Sequence, residues 1–388
     1  MTNDRIHPIT GNRGKILLIA TVDVHFQAFH LPVMRWFQEQ GFEVHVAANG
    51  PLALPYCDKR FNLPFQRSPY APGNLRVYRE LKQIIDGQDY ALIHCHTPVG
   101  ALLGRLAART ARKRGTRVLY TAHGFHFCKG APLLNWLLYY PGERFLARFT
   151  DCLITITEED FSLATRHHFP ARQIVQVPGV GVDTDLFVPL ADPERQTRRE
   201  SLGYGAKDIL LFYAAEFNAN KNQAMLIRAL ALAIRETPNL RLLLAGNGPL
   251  QESCRELAAQ LRVEKQVDFL GFRQDLPALL PLCDIAVASS RREGLPVNVM
   301  EAMACGLPVV AAANRGHGEL VADGKTGFVV PPNDHSAMAV KLVWLAGNPQ
   351  GRKAMGEAGR ERIRQRYAQP VAIGAMNRVY NQFLRVDQ

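Results

Sequence analysis

Short runs of apolar, mostly β-branched and leucine residues alternate along the chain with longer segments whose apolar positions recur at helical spacing. In the first half the runs are KILLIAT (15–21), FEVHVAA (42–48), ALIHCH (91–96), RVLYTAH (117–123) and CLITIT (152–157). Between them lie segments such as LPVMRWFQEQG and ALLGRLAARTARKRG, the second closed by Gly115, which read as amphipathic helices. This alternation predicts an α/β fold in which helices wrap a parallel sheet. A connection rich in Pro, Gly and charge, VPGVGVDTDLFVPLADPERQTRRESLG, then interrupts the pattern. It restarts with DILLFYAAE (208–216), LRLLLAG (240–246), VDFLGF (267–272), DIAVASS (284–290), PVVAA (308–312) and GFVVPP (327–332).

At 388 residues the chain is too long for one ordinary core. The expected architecture is two doubly wound, Rossmann-like domains facing each other across a cleft. Residues 1–188 form the first, 189–370 the second, and a helix at 371–388 packs back on the first. In such sheets ligands bind at the carboxyl ends of the strands, so chemistry is expected in the loops that follow them.

Composition narrows the class. Apolar residues make up 47% and charged residues 21%, as in ordinary soluble globular proteins. The apolar run Ile16 to Val22 is short and ends at Asp23, so it reads as a buried first strand rather than a signal peptide, and no segment is long enough to span a bilayer. A cytoplasmic protein is expected. The seven cysteines are scattered and contain no CxxC pair, which predicts neither a disulfide framework nor a zinc site. Cys95, Cys152 and Cys283 lie in apolar stretches and read as core residues. The formal net charge of +11 favours polyanionic partners: nucleic acid, an anionic membrane face or phosphorylated ligands.

The densest chemistry lies in SSRREGLPVNVMEAMACGLPVVAA (289–312). Arg291 to Leu295 read as a turn, Pro296 as the first residue of a helix, and Gly306 as its stop. The free N–H groups at that helix start, on Leu295 and Val297 to either side of Pro296, make an anion site suited to a diphosphate. Glu293 precedes the helix and Glu301 lies within it, so one carboxylate falls on each side of that site, able to accept paired hydrogen bonds from vicinal hydroxyls. Sugar, diphosphate and ribose in line describe a nucleotide sugar. Taken singly, Glu301 reads better as a solvated helix residue and Glu293 as a helix-dipole partner.

EGLPVNVMEAMACGLPVVA resembles, over its whole length, the hallmark of the retaining glycosyltransferases of family 4, which have the GT-B fold, and the resemblance extends across nearly the entire chain. It implies that Glu301 holds the ribose hydroxyls and Glu293 the transferred sugar. In EFNANKNQ (216–223), Lys221 matches the family's diphosphate-gripping lysine, whereas Glu216 stands where the family has an arginine; Arg292 is the candidate replacement cation. GNGPL supplies Gly246, Asn247 and Gly248, and GFRQDL supplies Phe272 and Arg273, as loops lining the nucleotide, while GHGEL (316–320) resembles a loop near the phosphates. His123, at the end of a strand, matches a histidine placed against the transferred sugar. His94 and His96 suggest a metal site but lack a third ligand, and the family's usual independence from metal agrees with the lack of an Asp-x-Asp site in a suitable strand-end loop. No cofactor is therefore expected beyond the donor, a UDP-sugar by resemblance.

The charge has a location. Arg105, Arg109, Arg112, Lys113 and Arg114 accompany Leu102, Leu103 and Leu106, followed by PLLNWLLYYPGERFLARF with Trp136, Tyr139, Tyr140, Phe145 and Phe149. Basic residues beside an aromatic-rich amphipathic segment suit an anionic leaflet, although the same pattern describes helices with core-facing apolar and solvated basic sides. Nucleic acid is not expected, since no recognised binding motif accompanies the charge. The resemblance points to a lipid-linked saccharide acceptor in capsular or exopolysaccharide assembly at the inner face of the cytoplasmic membrane. A nicotinamide oxidoreductase fails because Gln251 replaces the last glycine of GxGxxG, and DGKTG has the wrong spacing for an NTPase loop. A GT-B epimerase or a non-catalytic nucleotide-sugar-binding protein would share every donor-site feature.

Overall fold

In the computed structural model, residues 13–384 are described, and they fall into two compact units, 13–180 with 373–384 and 181–372. The first unit holds β1 (Lys15–Val22), β2 (Glu43–Asn49), β3 (Lys59–Asn62), β4 (Tyr90–Cys95), β5 (Arg117–Ala122), β6 (Cys152–Thr155) and β7 (Gln173–Gln176). They pair in the order β3-β2-β1-β4-β5-β6-β7, every ladder parallel. The second unit holds β8 (Ile209–Ala214), β9 (Leu240–Ala245), β10 (Val267–Gly271), β11 (Ile285–Ala288), β12 (Val309–Ala312) and β13 (Gly327–Val330), in the order β10-β9-β8-β11-β12-β13, again parallel.

Parallel strands need crossover helices on both faces, which is why the central strands are apolar along their whole length: Ile16 to Ala20 in β1 and Leu210 to Phe212 in β8 are essentially inaccessible. Strand order reverses between β1 and β4 in the first sheet and between β8 and β11 in the second. At such a reversal the adjoining loops diverge to opposite faces and leave a crevice for a ligand.

β3 (KRFN) and β7 (QIVQ) go beyond the strands expected from sequence. Both are four-residue edge strands with little burial, so polar residues are tolerated and no continuous apolar run marks them. The units divide at 180/181 rather than 188/189, because Val182 pairs with the far end of the second unit. Its N–H donates to the Tyr367 carbonyl at 2.9 Å, and its carbonyl accepts from Gln369 N–H at 2.8 Å. Helix Gln369–Leu384 begins in the second unit and ends in the first. There the Tyr380 hydroxyl meets His94 Nδ1 at 2.8 Å, and its ring packs on Phe37 at 4.6 Å.

The basic and aromatic cluster is sorted differently from its sequence reading. Arg105 is not a surface residue. It is fully buried, donating from Nε to the Ala101 carbonyl at 3.0 Å, pairing through Nη2 with Glu143 at 2.9 Å, and lying 4.0 Å over the Tyr120 ring. Arg112 is engaged with Asp151 at 2.9 and 3.1 Å. On helix Leu133–Leu146, Trp136, Tyr139 and Tyr140 pack against the core, and the residues facing outward are Leu133, Leu134, Leu137, Leu138 and Phe145. Cys95, Cys152 and Cys283 are buried as expected; burial raises the thiols of Cys95 and Cys152 to about 12, which leaves them unreactive at neutral pH.

Candidate active site

The reversal between β8 and β11 brings together two loops that the sequence keeps about seventy residues apart. After β8, the Asn218 side-chain oxygen accepts from the N–H groups of Asn220 and Lys221, both at 3.0 Å, and Asn222 takes a left-handed conformation at φ 53° to start helix Gln223–Ala233. After β11, Arg291 N–H donates to the Asn220 carbonyl at 2.8 Å, and the Asn220 amide donates to the Arg292 carbonyl at 3.0 Å. Ser289 Oγ completes the stitching by donating to the Lys221 carbonyl at 2.7 Å. Fixed from both sides, Lys221 Nζ lies 2.5 Å from Glu293 Oε1, the side chains 24% and 14% exposed. Two residues assigned to separate parts of a donor thus meet as an ion pair.

Helix Val297–Ala304 begins one residue later than expected, with Pro296 as its extended N-cap rather than its first helical residue, and Gly306 ends it at φ 78°. Asn298 anchors the helix start to the end of β8 through a 2.8 Å bond to the Ala214 carbonyl. Val299 and Met300 N–H donate to the Pro296 carbonyl at 3.2 and 3.3 Å; the earliest amides of a helix have no intrahelical acceptor, and the summed dipole at its start favours an anion. Glu301 sits further along the same helix, where burial pushes its carboxyl up to about 7.

The turn from Glu293 to Pro296 is held tightly by the segment after β12. A Cβ on Gly316 would come within 2.2 Å of the Gly294 carbonyl oxygen and 2.9 Å of Glu293 Cβ, so only glycine fits. Arg315 Nε donates to the Glu293 carbonyl at 3.0 Å. This places a guanidinium beside the Glu293 backbone that sequence reading missed, since Arg315 falls just before the GHGEL motif. His317 within that motif is structural: buried, held below its ordinary basicity, with Nδ1 donating to the Ala312 carbonyl at 2.6 Å. Arg292 is exposed, fixed through its backbone carbonyl, and Glu216 accepts from the Asn218 amide at 3.0 Å.

The loops after β9 and β10 adjoin this region. A Cβ on Gly246, at φ 135°, would strike the Ala215 carbonyl at 2.1 Å, and its N–H donates to the Gly271 carbonyl at 2.7 Å. Asn247 accepts from Phe217 N–H at 2.9 Å, and Gly248 is pressed against Phe217 in turn. Phe272 is 70% exposed, and the Arg273 guanidinium is taken by Asp275 at 2.5 Å. The structure therefore gathers Lys221, Glu293, the helix start and the Gly246–Gly248 loop around the carboxyl ends of the second sheet.

In the first unit His123 follows β5 and lies among other imidazoles. Its Nε2 is 3.3 Å from His96 Nδ1, and His25 Nε2 is 3.0 Å from His30 Nε2. The expectation that His96 lacks further ligating partners fails: one ring nitrogen from each of His25, His30, His96 and His123 lies within 4.8 Å of the others. His25, in the short helix Val24–Phe29, and His30, its C-cap, are distant in sequence from their partners, and only the adjacency of β1 and β4 brings their ring centres within 4.9 Å of His123 and 4.1 Å of His96 respectively. His94 stands outside the group, both its nitrogens occupied by Tyr380 and Thr121 at 2.8 Å. Burial lowers every one of these rings, His25 to about 3 and His123 to about 4.

Comparison with known proteins completes the picture. Residues 30–179 match the glycosyl transferase 4-like domain, and residues 194–362 match the glycosyl transferases group 1 family. The chain is 48% identical over 373 residues to the glycosyltransferase EpsD of Bacillus subtilis (strain 168), covering 96% of this chain and 98% of that protein. It is 34% identical over 275 residues to the GDP-mannose-dependent alpha-(1-6)-phosphatidylinositol monomannoside mannosyltransferase of Mycolicibacterium smegmatis, covering 67% and 68% of the two chains. In fold it resembles Anabaena Alr3699/HepE, crystallised with UDP and glucose, with a TM-score of 0.78 at 20% identity over 95% of this chain and all of that one. The two parallel sheets are thus those of a GT-B fold, and the chain belongs to the family 4 glycosyltransferases, enzymes that transfer a sugar from a nucleotide-sugar donor.

Proposed function

We propose that the enzyme transfers a sugar, with retention at the anomeric carbon, from a UDP-sugar to a lipid-linked saccharide in capsular or exopolysaccharide assembly at the inner face of a membrane. The observation that carries the donor half is the Lys221–Glu293 pair beside the start of helix Val297–Ala304, at the strand-order reversal. The diphosphate takes Lys221 and the helix amides, Glu293 receives the hydroxyls of the transferred sugar, and Glu301 receives those of the ribose. The backbone of Gly246–Gly248 and of Phe272–Arg273 flanks the base. Arg315 takes over the part first given to Arg292, since it is tied to the Glu293 turn while Arg292 points to solvent.

As the glycosidic bond to phosphate breaks, negative charge grows on the leaving diphosphate and positive charge on the sugar ring. Fixed N–H dipoles and the Lys221 ammonium oppose the first without reorganising, and the Glu293 carboxylate opposes the second. This scheme supplies the leaving-group charge without a metal at the diphosphate.

The acceptor half draws on the first unit. A pocket of about 580 Å³ is lined by Tyr70, Val99, Leu102, Leu138, Tyr139 and Leu146, with Arg67, His126 and Glu143 also on its wall. Leu138 belongs to the helix whose outer side exposes Leu133, Leu134 and Leu137. Next to that helix, Arg109 lies over Phe149 and Arg148 over Phe145, with Lys113, Arg117 and Arg172 around the same basic hollow. An apolar cavity bordered by exposed leucines and cations fits an isoprenoid carrier presented by an anionic leaflet. The Mycolicibacterium relative's name likewise specifies a saccharide on a lipid.

The test is a donor panel of UDP- and GDP-sugars with membrane lipid extract, read by mass spectrometry and by NMR of the anomeric centre. A new α-configured glycoside on lipid from an α-linked UDP donor supports the reading. An isomerised free sugar nucleotide, or binding without a product, overturns it.

A further inference from the structure

We propose that His25, His30, His96 and His123 form a binding site for a first-row divalent ion of the zinc, cobalt or nickel class. The four residues come from three places in the chain, the short helix Val24–Phe29 with its C-cap after β1, the end of β4 and the end of β5. They converge where the strand order of the first sheet reverses, the position at which a doubly wound sheet offers a ligand crevice.

The geometry is close to what such an ion requires. Bonds of about 2.0–2.1 Å to nitrogen give a tetrahedron whose edges are about 3.3–3.4 Å. The His25–His30 and His96–His123 contacts, at 3.0 and 3.3 Å, already lie near that length, and the whole group spans 4.8 Å. Small rotations about the side-chain bonds bring the remaining nitrogens inward. His30 and His96 are buried, whereas His25 and His123 keep some exposure, which provides an entry path.

The chemistry selects the ion. A neutral imidazole carries one ring lone pair, and the two nitrogen–nitrogen contacts of the cluster satisfy only some of these. Four imidazoles without a carboxylate suit zinc, cobalt, nickel or copper and disfavour magnesium and calcium, which prefer oxygen. His94 supports the arrangement from behind: its ring centre is 4.0 Å from that of His96, and it is locked by Tyr380 and Thr121. Packing against this fixed ring restricts the orientation of His96.

Because His123 is also the residue that the family resemblance sets against the sugar, the readout is spectroscopic rather than catalytic, and its outcome is separate from that of the transfer reading. The full-length protein, stripped with EDTA and desalted, is titrated with Co2+. The expected result is the strong visible absorption of four-coordinate cobalt, saturating at one equivalent, bleached by Zn2+ and unchanged by excess Mg2+. His25→Gln and His30→Gln should each abolish the band while circular dichroism shows the fold retained, and His335→Gln, in the second unit, should keep it. His25, being part-exposed, is the variant least expected to disturb folding. Absence of the band in the unmutated protein, or its survival in both cluster variants, overturns the proposal.

Discussion

Glu301 carries two opposed demands, and replacing it with glutamine separates them. Burial displaces its carboxyl from 4.5 to about 7, which means that ionising it in the folded protein costs about 3 kcal/mol more than in the unfolded chain. The folded pKa is raised, so the stabilising contribution of the neutral form is complete below about pH 4.5 and is lost as pH rises through about 7. Glu301→Gln removes that penalty. Urea unfolding followed by circular dichroism should show the variant more stable than the parent by up to about 3 kcal/mol at pH 8, and indistinguishable from it near pH 4.5. Donor binding should move the other way. Ribose hydroxyls donate to the carboxylate and favour it, so the parent's donor affinity should rise about tenfold between pH 6 and pH 8, and the variant should show neither the affinity nor its pH dependence. Equal stability of the two proteins across the whole range would refute the claim that this carboxyl is held neutral by its surroundings. A parent donor affinity that stays flat with pH would refute its role toward ribose.

Glu293→Gln should lose turnover while keeping most donor affinity, whereas Lys221→Met should raise the donor KM by about 100-fold, the loss of one charge-assisted contact to phosphate; steady-state kinetics over a donor series distinguishes the two. Gly316→Ala forces a Cβ to within 2.2 Å of the Gly294 carbonyl, and isothermal titration with UDP should show affinity reduced tenfold or more because the Glu293 turn must move. Arg105→Ala should destabilise the first domain by about 3–5 kcal/mol in thermal or urea unfolding, with Arg105→Met combined with Glu143→Leu recovering most of it, since the pair is then replaced by apolar packing. Leu133→Ser with Leu137→Ser should reduce sedimentation with anionic vesicles without altering donor affinity; unchanged sedimentation would remove that helix from the membrane contact.

Sequence alone determined the element order, because strands buried on both faces need unbroken apolar runs and helices need a 3.6-residue period. It therefore revealed the central strands of both sheets and hid β3 and β7, whose edge positions allow Lys59, Arg60, Gln173 and Gln176. It also marked Glu293 and the helix that carries Glu301, since a Gly-Leu-Pro turn and a C-terminal glycine are local signals. Tertiary structure decided everything that depends on which loops meet. The seventy-residue interval between Lys221 and Glu293 closes only because β8 and β11 are neighbours, and the histidine cluster exists only because β1 lies beside β4. Arg105 and Arg109 are four residues apart in one basic stretch, yet one is buried against Tyr120 and the other faces solvent. Charge and residue type are properties of the chain, but the dielectric around them, and hence what they can do, is set by the packing.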